Sequence, residues 1–252
     1  MTTPRANTRD ILEIMWQRHS SRGPFDPSVG IPESVLRQIL DAARWAPTAH
    51  NMQNYEVIAV DDPHVLAQIS AIRLQPAETF VHAPRGQLSI SEAELAHTRI
   101  GLLPGMFPES WQEIDKEPAG AAASHSYLAR TIQPCPLMLF VIYDSRLPAD
   151  PADHLGAMSL GCVMQNIWLM SESHGIGVQV LSAFSLEAEE AKARLILAIP
   201  ARLKIAFAVR LGYPLALEGS HLRVRRRIQD FLHRNRFGND GTTDARLPKH
   251  RL

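Results

Sequence analysis

Cysteine is almost missing from this chain: Cys135 and Cys162 are the only two in 252 residues. Both sit in apolar runs and neither belongs to a CxxC or a mixed Cys/His spacing, which excludes a disulfide framework and a cysteine-based metal site. They read as small buried hydrophobes of a reducing compartment. An excess of charge is missing too, with Lys+Arg and Asp+Glu at 26 each. No global field draws the chain to nucleic acid or to a membrane surface, so any anion must be held by a local cluster. The most apolar segments, 136–143 and 155–170, are too short or too polar to span a bilayer. The opening MTTPRANTRD has none of the apolar stretch of a secretory leader, which points to the cytoplasm.

Several catalytic signatures are also absent. There is no GxGxxG after a strand and no GxxxxGK[ST], so the common phosphate-cradling loops do not apply. No His-Glu-x-x-His suggests zinc, and no GxSxG elbow suggests a serine hydrolase. His125-Ser126 and Asp153-His154 are isolated pairs without a third partner, a poor basis for a triad.

What is present alternates between the two periodicities. Ile11, Leu12, Ile14 and Met15 give an apolar side to a helix over 8–18, and Val35, Leu36, Ile39, Leu40 and Ala43 do the same over 33–45. Pro47 ends the second. The β-branched run 55–60 reads as a strand, with a short helix over 64–72 after it. The continuously apolar 137–143 reads as a strand buried on both faces. Residues 154–173 form the most apolar helix, with Leu155, Met158, Leu160, Val163, Met164, Ile167, Trp168 and Met170 on nearly every side; such a helix is buried in a core or against a partner. Its Met and Trp residues read first as core filler. His174-Gly175-Ile176-Gly177 supplies its stop. A strand over 178–181, a helix over 187–197, a strand over 204–211 and a basic helix over about 222–234 complete the reading. One domain is expected over 1–252, with helices wrapping a small sheet. Residues 73–134 mix helix formers with Gly86, Pro104-Gly105 and Pro118 and read as a variable excursion, a candidate lid.

Three clusters can carry chemistry. Arg18, His19, Ser20 and Arg22 place two guanidiniums and a hydroxyl within five residues, a donor set that suits a phosphate monoester. Taken alone, such a turn reads first as a solvated surface patch. Ala46-Pro47-Thr48-Ala49-His50-Asn51-Met52-Gln53 is a loop held between helix and strand, with small residues for close approach to a planar ligand and amides at Asn51 and Gln53. Taken alone it reads first, by a small margin, as an ordinary polar connection. Arg223-Val224-Arg225-Arg226-Arg227, placed at a helix start, opposes the macrodipole unless an anion sits there.

In this order and spacing the clusters resemble the nitroreductase superfamily of FMN flavoproteins. Arg18-His19-Ser20-Ser21-Arg22 followed by Phe25-Asp26 is similar to its arginine–x–serine–x–basic signature, and DAARWAPTAHNMQN at 41–54 to its second motif, with Asn54 where a proline usually stands. Gly161–Asn166 with His174–Gly177 resembles its central helix and that helix's glycine-bearing end. Arg223-x-Arg225 with 230–238 resembles its C-terminal basic motif. The match covers roughly 8–61 and 137–238.

The resemblance implies an α+β fold with a small mixed sheet, in an intertwined homodimer carrying two FMN sites at its interface. It casts Arg18, His19, Ser20 and Arg22, with Arg223 and Arg225, around the FMN phosphate and ribityl chain. Pro47, Thr48 and Ala49, assisted by Asn51 and Gln53, would reach the ring from the partner subunit. Leu181, Ser182 and Ala183 would line the ring near N5, without the acidic residue many relatives carry there. It implies hydride transfer from NAD(P)H through flavin N5 to an electron-poor small molecule, such as a nitroaromatic or a quinone, in ping-pong fashion. No side-chain acid or base, metal, membrane or nucleic acid is called for. The alternatives are other flavin chemistry of the superfamily (reductive dehalogenation, ene reduction, flavin fragmentation) and a non-catalytic FMN-binding module.

Overall fold

The computed structural model describes residues 8–72, 90–101, 132, 135–146, 154–215 and 224–239. The chain forms two compact units, one from 1–76 with 113–219 and the other from 77–112 with 220–252.

The first unit is built on a four-stranded sheet of order β1-β2-β4-β3: β1 (Tyr55–Val60), β2 (Leu137–Asp144), β3 (Gly177–Leu181) and β4 (Leu203–Gly212). All three strand pairs are antiparallel. The parallel contribution is a bridge between Ser20 and Val178, outside the strands. Around the sheet lie α1 (Thr8–Gln17), α2 (Glu33–Arg44), α3 (Pro63–Ser70), α5 (His154–Ser173) and α6 (Glu187–Ile196). The second unit contributes α4 (Glu92–Thr98), opened by a capping box in which Ser91 and Glu94 satisfy each other's main-chain donors.

The period-2 geometry of the strands divides two cores between the faces. Leu137, Leu139 and Val141 of β2 join Val178, Val209 and Leu211 on one face, against Ile39 and Ala43 of α2 and Val163 and Ile167 of α5. Met138, Phe140 and Ile142 join Leu181 and Ala208 on the other, against Leu66 and Ile69 of α3 and Ala193 of α6. β2 is therefore buried on both faces, as its unbroken apolarity predicts. Asn54, standing where the motif usually has proline, opens β1 by pairing with the far end of β2: the Asp144 N–H donates to the Asn54 carbonyl at 3.3 Å. Hydrogen bonds from Arg146 hold the Asp144 carboxyl at about 2. The contribution this makes to stability is present above the unfolded pKa and is lost as pH falls through the folded value of about 2.

α5 is apolar all round, yet within the protomer only the stripe Gly156, Ser159, Val163, Ile167 and Ser171, with Trp168 beside it, is buried. Leu155 and Met158 face outward. The helix stops as the sequence predicts: Gly175 takes φ +68° and the Ile176 N–H returns to the Ser171 carbonyl at 3.0 Å.

One element is corrected. No helix runs over the described part of 222–234; residues 224–227 are irregular and only a 3-10 turn, Ile228–Asp230, forms. The Asp230 carboxylate accepts from the Arg227 N–H at 3.0 Å and from its guanidinium, closing a single turn on itself. Ile228 and Phe231, whose spacing suggests a helical stripe, are exposed, and a helix with no face to bury is marginal in water. The macrodipole argument for an anion at Arg223–Arg227 falls with the helix. Cys162 is half-buried and Cys135 buried; both are free thiols, and burial pushes that of Cys135 up.

Candidate functional site

Residues 18–26 run as a strap along the free edge of the sheet, where β3 leaves one side of its ladder open. The Ser21 N–H donates to the Val178 carbonyl at 2.9 Å, the Asp26 N–H to Tyr213 at 2.8 Å, and the Leu215 N–H back to Pro24 at 3.1 Å. Between these fastenings Phe25 is fully buried over two glycines that face each other across β3 and β4, Gly177 and Gly212. A Cβ on Gly212 would stand 2.6 Å from the Phe25 Cβ, and one on Gly177 would stand 2.7 Å from the Ser21 Oγ. Only glycine lets the strap lie this close.

α5 supports the strap from the side. The Trp168 Nε1 donates to the His19 carbonyl at 3.2 Å, and the Arg18 guanidinium lies 4.6 Å from the centre of the Trp168 ring. A guanidinium parked on an indole loses less freedom when it meets an anion. His19 turns its ring Nδ1 to the Gln17 carbonyl at 3.1 Å.

The polar groups of the strap divide into committed and uncommitted ones. Among the described residues, the Ser20 hydroxyl and the Arg22 guanidinium and N–H have no hydrogen-bond or ion-pair partner. The Ser21 hydroxyl is buried without one. No carboxylate occurs from Arg18 through Phe25 to compete for these donors. Uncommitted, acid-free donors around an exposed arginine suit an oxyanion with several lone pairs.

The loop 47–53 is held by the other half of α5. The Ala49 N–H donates to the Ser159 Oγ at 2.9 Å, and that hydroxyl donates to the Leu155 carbonyl at 2.7 Å. Within the loop the Gln53 N–H donates to Thr48 Oγ1 at 3.2 Å and the Gln53 amide to Asn51 Oδ1 at 3.0 Å. His50, Asn51 and Gln53 all take positive φ, between 46° and 53°. Three left-handed non-glycine residues in four store strain, of the kind that collects at ligand clamps. Pro47, Asn51 and Gln53 are exposed, and Thr48 and Ala49 half-buried.

The structure thus brings Arg18, His19, Ser20 and Arg22 together on one strap. It anchors 47–53 nine residues away along α5, about 14 Å of helix. Leu181 and Ala183 point their side chains into the core beside Phe184, so main chain is what they offer a ligand; Ser182 opens a 3-10 turn, Ser182–Ser185. Arg223 lies outside the described residues. Arg225 is exposed in the second unit, with Nη1 donating to the Val224 carbonyl at 2.7 Å.

Sequence reading missed three contributors. Trp168 reads as core filler, yet it carries both Arg18 and the His19 carbonyl. Gln179 and Arg210 form a buried polar pair under the strap, Nε to Oε1 at 2.7 Å. A signal existed for the arginine, because it interrupts an otherwise apolar strand end, and charged residues are rarely buried without a role.

A family model described as the nitroreductase family matches residues 15–213. The chain is 37% identical over 59 residues to the CLA biosynthesis enone reductase of Lactiplantibacillus plantarum, covering 23% of this chain and 27% of that enzyme. It is 26% identical over 186 residues to the NADH dehydrogenase of Thermus thermophilus, covering 73% of this chain and 78% of the relative. Among solved structures, the FMN-dependent nitroreductase of Clostridium difficile R20291 superposes with a TM-score of 0.57 at 16% identity, over 90% of this chain and 99% of that one. That likeness shows the fold. No described helix is long and apolar enough to cross a membrane, and the described residues hold no cluster of metal-ligating side chains.

Proposed function

Because this chain belongs to the nitroreductase family, we propose that it is an FMN-dependent, NAD(P)H-using oxidoreductase of the cytoplasm that reduces electron-poor small molecules. One observation carries the FMN assignment. The strap at 18–22 offers an uncommitted hydroxyl, guanidinium and main-chain N–H beside a half-buried arginine, with no acid among them. This donor set fits a phosphate monoester.

When bound, FMN would supply the redox chemistry, taking hydride from NAD(P)H and returning it to a nitroaromatic, a quinone or a similar acceptor. The chain's part is positional. Arg18, Ser20 and Arg22 would hold the phosphate, and the exposed loop around Pro47, Thr48 and Asn51 would supply a surface for a flat ring. Leu181–Ala183 offer main-chain groups to it.

The absorption spectrum of the purified protein tests this reading. Uptake of FMN should give a yellow protein, and anaerobic NADPH or NADH should bleach it. A yellow protein that neither nicotinamide bleaches is a binding module, and one that takes up no FMN is neither.

The site is completed, in this reading, by a second copy. An apolar groove of ≈ 350 Å³ runs between α1, α2 and α5, lined by Ile11, Ile14, Trp45, Leu169 and Met170. Beside it Trp45 is 75% exposed and Met158 of α5 68% exposed. Apolar faces of this kind are what obligate dimers bury. Sedimentation velocity should find a dimer. Ile11→Glu and Met158→Glu, at positions that cost the protomer little, should shift it to monomer and weaken FMN retention. A wild-type monomer that still binds FMN would sink the shared-site reading.

A further inference from the structure

Arg210 is 1% exposed, in the interior of the first unit. It lies opposite Gln179 in the β3–β4 ladder, and the Gln179 Oε1 accepts from its Nε at 2.7 Å. Its Nη2 donates to two main-chain carbonyls of the strap, Ser21 at 3.1 Å and Gly23 at 2.6 Å. Its guanidinium stacks 4.3 Å from the centre of the Phe25 ring. The two carbonyls flank Arg22, so a single nitrogen sets the curvature of the turn that displays it.

Burying a guanidinium is costly, and the cost is offset only by good geometry. Here two of the guanidinium's hydrogen bonds go to the main chain of the strap. Donation to the Ser21 carbonyl also polarises the peptide whose N–H belongs to Arg22, which makes that N–H a stronger donor. The N–H has no acceptor among the described residues. A lysine could supply the charge, but not a planar fork that spans Gln179 and two carbonyls at once.

We propose that Arg210 is a positioning residue for anion binding at the strap: oriented by Gln179, it fixes the path of Ser21–Gly23 and so aims the Ser20 and Arg22 donors at the FMN phosphate. This rests on the reading of 18–22 as the phosphate site. Riboflavin separates the two ideas, because it carries the same ring without the phosphate.

Kd values for FMN and riboflavin should be measured for the wild type, Arg210→Met, Arg210→Lys and Gln179→Leu, with hydrogen exchange of residues 20–24 followed in ligand-free protein. Losing hydrogen bonds from a charged donor should weaken FMN about 10- to 100-fold in Arg210→Met. Riboflavin affinity should stay within about threefold, since the phosphate contacts are absent from it. Arg210→Lys should fall between, Gln179→Leu should shift FMN in the same direction by less, and exchange at 20–24 should quicken in all three. If Arg210→Met fails to fold, the milder two carry the test. Equal weakening of both flavins means that Arg210 only supports the fold and overturns the proposal. Unchanged exchange at 20–24 overturns it as well, and does so without any flavin present. A wild type that binds riboflavin and FMN equally overturns the phosphate reading itself.

Discussion

Phe25→Ala is expected to destabilise the protein by about 3–5 kcal/mol, the usual cost of truncating a fully buried phenylalanine to leave a cavity. The site leaves little room for relaxation. The ring is enclosed by Gly177, Gly212 and the Arg210 guanidinium, and the main chain on either side of it is tied to β3 and β4. These fastenings hold the walls apart, so the cavity cannot collapse cheaply. Against a total stability of about 5–15 kcal/mol the loss is large. The converse change, Gly212→Val, puts carbon where the ring already is, and overpacking of this kind costs about 1–3 kcal/mol or more. Urea unfolding followed by circular dichroism reads both. Phe25→Leu should retain much of the lost stability, because it refills most of the volume. A midpoint for Phe25→Ala within error of the wild type would mean that the strap is not part of the cooperative fold.

This dependence on distant partners marks the limit of what the sequence displays. Periodicity reports which face of a segment is apolar, and that sufficed for α2, α5 and the strands, whose apolar faces are buried against one another; α1 forms as its spacing predicts but leaves Ile11, Leu12 and Met15 exposed. It failed at 224–234, where Ile228 and Phe231 stand exposed and a helix would have no apolar face to bury. The candidate site shows the same division. Arg18, Ser20 and Arg22 are legible because they are neighbours in the chain and share one chemistry. Their supports are not: Trp168 stands 149 residues from the His19 carbonyl it binds, and Arg210 stands 189 residues from that of Ser21. Sequence order carries no trace of such contacts. The glycines at 177 and 212 look like turn residues in the chain; the structure gives them to the close passage of Phe25.

The strap's own residues should show the largest effect on cofactor binding. Arg22→Ala removes an uncommitted guanidinium from an exposed position, so the fold should hardly notice, while FMN affinity should fall about 10- to 100-fold for the loss of charge-assisted bonds. Adding Arg18→Ala should bring the total to roughly a thousandfold, less than additive where both arginines meet the same phosphate. Titration of each variant with FMN and with riboflavin tests this, and the losses should be confined to FMN. They should also be steeper at low salt, where charge attraction is least screened. Turnover measured in excess FMN should return to near the wild-type value if, as proposed, these groups meet the phosphate end and not the reacting ring. Variants of the 47–53 loop make the opposite case: Thr48→Val or Asn51→Ala should move FMN and riboflavin together, since whatever that loop touches both flavins possess. If Arg22→Ala instead keeps full FMN occupancy and loses turnover, the strap belongs to the reaction and the anchoring role must be sought elsewhere in the chain.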